Sequence, residues 1–194
     1  MHRPEYMTSK GFLTPEQCQA IINDAKQHAE GVAGGIYGTP EDKPTDCMDN
    51  TDTVAIDESI RKCIVYPMDW FVHDAVYAHI WKHLQLANRA WNLDISHFSD
   101  GQVIEYNKGN YFKAHVDQAF NMNTLALERK LSVTIQLNKR EEFEGGDFTI
   151  NGKKAEMNIG DMIIFPSILV HEIEEVTGGT RYAFVGWVDG APWR

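Results

Sequence analysis

Cysteine is scarce in this chain, and the three that occur, Cys18, Cys47 and Cys63, are odd in number and widely separated. Such usage excludes a disulfide framework and a zinc-finger spacing, and suits a reducing compartment. No stretch approaches the ~20 apolar residues of a membrane span, and Met1-His2-Arg3-Pro4-Glu5-Tyr6 has no apolar run, so the expected setting is cytoplasmic, away from membranes. Positive charge is also in deficit. Lys and Arg number 18 against 28 Asp and Glu, a net charge of −10 that repels phosphate backbones and disfavours nucleic-acid binding. Low-complexity sequence is missing too: with 43% hydrophobic and 24% charged residues, 194 residues suit one globular domain.

Thr14-Pro15-Glu16-Gln17 reads as a capped helix start, with Thr14 as cap, Pro15 at the first helical position and Gln17 closing a capping box. Cys18, Ile21, Ile22, Ala25 and Ala29 then form an apolar stripe, and Gly31 is the expected stop. From Gly31 to Glu58 the sequence turns to Gly, Pro and acidic residues without periodicity, either a bland surface loop or a mobile lip beside an active site. A short strand is expected at Arg61–Tyr66 and a long helix over Met68–Asn92, where Val76, Ile80, Leu84, Ala87 and Trp91 recur at helical spacing. His79 and His83 share a face of that helix but lack the glutamate of a metalloprotease motif, and read as a surface pair.

Beyond Ile95 the period changes. Short alternating runs at 102–106, 111–115, 131–137, 148–150, 155–159, 162–165, 170–176 and 181–188, parted by turns such as Asn107-Lys108-Gly109 and Asn151-Gly152, predict eight strands with no helix between them: a jelly roll. The whole is mostly β with supporting helices. The expected organisation is one catalytic domain, with residues 1–92 as helical support and acidic loop and 93–194 as the jelly-roll core.

Chemistry concentrates in that second part. His115 and Asp117, one residue apart, project to the same side of a strand and can grip one metal; His171 is the candidate third ligand. Two histidines and a carboxylate leave the opposite coordination positions open, as in non-haem Fe(II) oxygenases. In 130–138, Leu131, Val133, Ile135 and Leu137 fall on one face and Ser132, Thr134, Gln136 and Asn138 on the other. In the last strand Arg181, Ala183, Val185 and Trp187 share a face, and an inward-pointing arginine with no acidic neighbour there needs an anionic partner, such as a ligand carboxylate.

The ordered set Tyr106-Asn107-Lys108-Gly109, Phe112, His115-Val116-Asp117, Arg129, Gln136-Leu137-Asn138, Gly145-Gly146, Gly160-Asp161, His171 and Arg181 resembles the catalytic domain of the Fe(II)/2-oxoglutarate-dependent dioxygenases, in their prolyl 4-hydroxylase-like branch. The resemblance implies a double-stranded β-helix (jelly roll, cupin-like) with N-terminal helices packed on one sheet. It implies Fe(II) on His115, Asp117 and His171, and 2-oxoglutarate anchored by Arg181, with Tyr106, Gln136 and Trp187 around the cosubstrate. O2 is the co-reactant, and ascorbate an accessory reductant. The reaction implied is oxidative decarboxylation of 2-oxoglutarate coupled to hydroxylation, of prolyl residues in a protein or peptide substrate for this branch. Some relatives carry tyrosine where Phe112 and Gln136 stand, and collagen-type enzymes use lysine in place of Arg181, which bears on the substrate more than on the chemistry. Hydroxylation of another side chain, a free amino acid or a small metabolite is the competing activity; a metal-retaining but non-catalytic jelly-roll sensor is the competing class.

Overall fold

The computed structural model describes residues 3–37, 54–69, 73–118 and 128–191. The first strand, β1 (Met7–Ser9), precedes helix α1 (Pro15–His28). Four two-residue strands, β2 (Val32–Ala33), β3 (Ile36–Tyr37), β4 (Val54–Ala55) and β5 (Arg61–Lys62), follow, then β6 (Ile64–Met68) and helix α2 (Asp74–Ala87). The remaining strands are β7 (His97–Asn107), β8 (Tyr111–His115), β9 (Glu128–Gln136), β10 (Phe143–Gly145), β11 (Phe148–Ile150), β12 (Lys153–Lys154), β13 (Met162–Pro166), β14 (His171–Ile173) and β15 (Val176–Gly190).

Two sheets face one another. The larger runs β1-β13-β9-β15-β7-β6-β2, with β10 paired to β15; the smaller runs β12-β11-β14-β8-β5. All pairings among the described residues are antiparallel, and most join strands distant in sequence. The mostly β, jelly-roll expectation holds. Strands β1, β2, β5 and β6, from before residue 93, extend these sheets.

Alternation along β9 divides the core. Leu131, Val133, Ile135 and Leu137 pack with Ile21 and Ile22 of α1 and Ile80 and Leu84 of α2 in the cluster that seats the helices on the larger sheet. Ile104, Tyr106, Phe148, Ile163 and Phe165 fill a second cluster between the sheets. Each fully buried aliphatic side chain contributes about 1.5–3 kcal/mol. The helix α1 starts as expected: Thr14 accepts from the Gln17 amide at 3.3 Å and the Gln17 side chain accepts from Thr14 N–H at 2.8 Å. Its stop differs. The chain leaves the helix at Ala29, which is extended at φ −137°, before Gly31 is reached.

Three further boundaries depart from expectation. Met68 ends β6, and the second helix begins only at Asp74 and closes at Ala87 into a 3-10 turn. There the Asn88 amide caps the bend by bonding Leu93 N and O. Residues 155–159 form no strand, since the backbone is committed to a turn in which Asp161 N–H donates to Asn158 O. Gly160 sits in that turn at φ +78°, where a Cβ would overlap the Leu13 carbonyl oxygen. The Asp161 carboxylate, accepting from Lys10 Nζ and the Gly11 and Asn158 amides at 2.8 Å each, ties this turn to the segment entering α1. The run 170–176 is split: His171–Ile173 belongs to the smaller sheet, and Val176 already opens β15 of the larger.

His79 and His83 pack around Phe12, ring centroids 4.5 and 4.7 Å away. Most of the acidic Gly/Pro-rich stretch expected as a lip lies outside the described residues, although Ala33, Gly35 and Ile36 at its start line the main cleft. Among the described residues no helix is long and apolar enough to cross a membrane.

Candidate active site

His115 and His171 are cross-strand partners, one at the end of β8 and the other at the start of β14. Their rings lie 4.2 Å apart. Asp117 follows just beyond the strand, where the backbone N–H groups of Asp117 and Gln118 both donate to Ser167 O, at 3.1 and 3.2 Å. That loop contact, more than strand pleating, turns the carboxylate towards the imidazoles: His115 Nε2 is 3.6 Å from Asp117 Oδ1, and His171 Nε2 is 3.3 Å from Asp117 Oδ2. The three ligand atoms lie within 4.8 Å of one another.

Each imidazole is oriented from behind. His115 Nδ1 meets Lys113 O at 2.8 Å and His171 Nδ1 meets Leu169 O at 3.0 Å, which fixes the Nδ1–H tautomer and directs both Nε2 lone pairs to the shared centre. Ser132 Oγ, on the inward face of β9, donates to Asp117 Oδ2 at 2.6 Å and contacts Ser167 Oγ at 2.9 Å. Phe112 stacks on His115 at 3.5 Å. Burial opposes the charge on Asp117, but His171 and His115 outweigh it and hold the carboxyl well below the usual range. Burial likewise works against protonation of His171, where Asp117 prevails and raises the pKa; at His115 burial prevails and lowers it. Two neutral imidazole nitrogens and a carboxylate oxygen, braced in this way, fit Fe(II) with open positions opposite.

Behind this group the space between the sheets forms an inner pocket, lined by Tyr106, Ser132, Thr134, Arg181, Ala183, Val185 and Trp187. The predicted inward face of β15 is therefore observed. Arg181 is 2% exposed, and among the described residues its Nη1 has no hydrogen-bond partner. Burial pulls its pKa down to about 10, so the guanidinium remains charged at neutral pH. A buried, unpaired cation costs several kcal/mol unless an anion joins it. Gly146, at φ +61°, leaves room beside it: a Cβ there would press on Val176 and Arg181. Buried Tyr106 presents its ring 5.6 Å from the Arg181 guanidinium carbon, and burial raises its phenol pKa.

Of the expected site residues, His115, Asp117, His171, Arg181, Tyr106 and Trp187 thus come together around one pocket. Gln136 does not line it. Its Nε2 donates to Asn138 Oδ1 at 3.0 Å and to the Tyr182 carbonyl at 3.2 Å, so its amide joins the strand ends instead. Sequence reasoning missed Ser132 and Ser167 as the brace on Asp117, although Ser132 stood on the polar face of β9. It also left Arg61 and Arg129 without a role. Arg61 bonds Gly35 O at 2.8 Å and lies over Phe112, and Arg129 lies 3.9 Å over the Trp187 ring. Both line an open outer cleft of about 970 Å³ that shares His115, Asp117 and Trp187 with the inner pocket.

Residues 101–189 match the model of the 2OG-Fe(II) oxygenase superfamily. A PKHD-type hydroxylase of Prochlorococcus marinus is 40% identical over 85 residues, covering 42% of this chain and 37% of that protein. Another, of Colwellia psychrerythraea, is 32% identical over 91 residues, covering 45% and 41%. The chain thus spans about two fifths of the length of these relatives. In fold it is similar to a Pseudomonas putida prolyl-4-hydroxylase, with a TM-score of 0.71 at 19% identity over 95% of this chain and 92% of the other. A viral collagen prolyl hydroxylase from Paramecium Bursaria Chlorella virus-1, solved with 2OG, gives 0.65 at 18% identity over 97% of each. The match to the 2OG-Fe(II) oxygenase superfamily model, over residues 101–189, contains the whole braced His-Asp-His group.

Proposed function

We propose that the protein is a non-haem iron dioxygenase that couples oxidative decarboxylation of 2-oxoglutarate to hydroxylation of prolyl residues in a protein or peptide. The observation that carries this reading is the buried, charged Arg181 guanidinium, whose Nη1 has no hydrogen-bond partner among the described residues, lining the same pocket as three convergent metal-ligand atoms. A dicarboxylate fits both ends at once. One carboxylate pairs with Arg181, offsetting its desolvation, and the rest of the molecule reaches His115, Asp117 and His171.

Iron bound to those residues, together with 2-oxoglutarate and O2, supplies the oxidising power for inserting oxygen into an unactivated C–H bond. The chain's own residues bind, orient and exclude. The Nδ1 contacts to Lys113 O and Leu169 O hold the imidazoles in the liganding tautomer, and Ser132 holds the carboxylate. The apolar walls Ile104, Phe148, Phe165, Ala183 and Val185 keep water from the interior, which strengthens the Arg181 contact. No protein group is needed as a general base.

A peptide substrate is favoured by the outer cleft, whose Val65, Pro67, Met68 and Val116 give it apolar walls running to the His115–Asp117 edge of the pocket. It is also favoured by structural neighbours that are themselves prolyl hydroxylases by description. In this reading ascorbate serves as an accessory reductant and the cytoplasm as the setting. The test is iron-dependent conversion of 2-oxoglutarate to succinate, followed by mass spectrometry of proline-containing peptides for the gain of one oxygen atom. Succinate without a hydroxylated peptide, but with a hydroxylated free amino acid or metabolite, would transfer the reading to a small substrate. Absence of succinate altogether would favour a metal-retaining sensor.

A further inference from the structure

A second group of two histidines and one carboxylate stands away from the iron pocket. Asp24 and His28 lie one helical turn apart on α1, and His73 immediately precedes α2. His73 Nδ1 is 2.6 Å from Asp24 Oδ2, and His28 Nδ1 is 3.1 Å from Asp24 Oδ1, so each carboxylate oxygen faces a different imidazole. The two rings meet edge to face, with centroids 5.7 Å apart. The three donor atoms lie within 4.8 Å of one another, as compact a set as His115, Asp117 and His171.

We propose that Asp24, His28 and His73 form a second metal site, for a divalent transition ion of the zinc type. Two imidazole nitrogens and one carboxylate oxygen favour such an ion over calcium or magnesium, which prefer oxygen ligands throughout. Ligand atoms about 2.0–2.2 Å from a tetrahedral ion stand roughly 3.3 Å from one another. The Asp24–His28 pair already has nearly this spacing. The Asp24–His73 pair is closer by about 0.7 Å, the distance of a hydrogen bond in which a proton holds the ion's place, and metal binding displaces that proton. Asp24 can give way, because its side chain is 43% exposed on the helix surface.

Accessibility is graded as an ion site needs. The His73 side chain is 2% exposed and serves as a fixed ligand; His28 and Asp24, at 43% each, open to solvent and leave the fourth position to water. His28 Nδ1 also meets the Asp24 backbone carbonyl at 2.9 Å, a contact that helical i,i+4 geometry supplies. The ion would clamp the last turn of α1 to the entry of α2. His28 and Ala29 also line the outer cleft, so the clamp stands on its rim.

The experiment counts zinc bound after metal-free protein is dialysed against buffered Zn2+, in backgrounds that separate the two groups. The Asp117→Ala, His171→Ala double variant, which dismantles the iron pocket, is expected to retain one equivalent. Adding either His28→Ala or Asp24→Asn is expected to remove it, with unchanged far-ultraviolet circular dichroism showing that the fold survives. Co2+ added to the double variant is expected to give the visible bands of a tetrahedral site, lost in the same two variants. No bound zinc in the folded double variant, or zinc that persists through both further substitutions, would overturn the proposal. Either result stands apart from the iron reading, which the 115, 117 and 171 positions test alone.

Discussion

The molecule holds two groups of the same composition, two imidazoles and a carboxylate, and they differ in what stands behind them. At His115, Asp117 and His171 the histidine Nδ1 atoms are engaged by backbone carbonyls and the carboxylate by Ser132, so the donors facing the centre are left for a ligand. At Asp24, His28 and His73 the carboxylate itself faces both Nδ1 atoms, and a backbone carbonyl engages only that of His28 as well. The first group is carried by paired strands and adjoins a pocket closed by Arg181; the second is carried by helix ends and faces solvent on one side. Donor inventory alone does not separate a reaction centre from a clamp. Outer hydrogen bonds and the neighbouring cavity do.

The comparison breaks most visibly at Asp117. Asp117→Ala is expected to abolish iron-dependent succinate formation, measured by chromatography, because the carboxylate that faces both imidazoles is gone; retained turnover would place the reaction elsewhere. Next comes Arg181→Met, whose two effects have opposite signs. Loss of a charge-assisted contact of about 1.5–3 kcal/mol weakens 2-oxoglutarate binding by roughly 10–150-fold. Removing an unpaired buried cation leaves the ligand-free protein at least as resistant to heat. A cosubstrate titration beside a thermal melt reads both, and a lowered melting temperature would mean that the arginine has an internal partner.

Ser132→Ala sharpens the comparison more gently. It removes the brace on Asp117 but no ligand, and a loss of about 10-fold in Fe(II) affinity is expected from competition with a chelator. An unchanged affinity would show that the loop contacts to Ser167 suffice. The smallest effect belongs to neither group. Burial works against the Asp161 carboxylate, but Lys10 and the Asn158 and Gly11 amides outweigh it and depress its pKa. A depressed folded-state pKa means stability that is present above the ordinary carboxylate value of about 3.9 and lost as pH falls through the folded value. Asp161→Asn should therefore cost about 1–2 kcal/mol at neutral pH. The cost should shrink as pH falls below about 4, read from urea midpoints across pH.

Much of the iron pocket was legible because strands encode side-chain direction locally. The alternation of Leu131, Val133, Ile135 and Leu137 against Ser132 and Thr134, and the shared face of Arg181, Ala183, Val185 and Trp187, are both observed. The alternation failed at Gln136, where the strand ends and the amide finds backbone partners in place of the cavity. The false strand at 155–159 has the same origin: three apolar residues alternate, but Asp161 and Gly160 impose a turn whose partners lie in the segment before α1. The second histidine group was not legible. Asp24 and His28 have ligand spacing on a helix, yet His73 joins them only through the packing of two helices on one sheet, which no local period records.

The most direct test of the central claim is an anaerobic calorimetric titration of Fe(II)-loaded protein with 2-oxoglutarate, so that binding is read without turnover. Saturable binding of one molecule per chain is expected, markedly weaker in Arg181→Met and dependent on prior addition of iron. Equal binding with and without iron, or binding indifferent to Arg181, would contradict a site that holds the cosubstrate between His115, Asp117 and His171 at one end and Arg181 at the other.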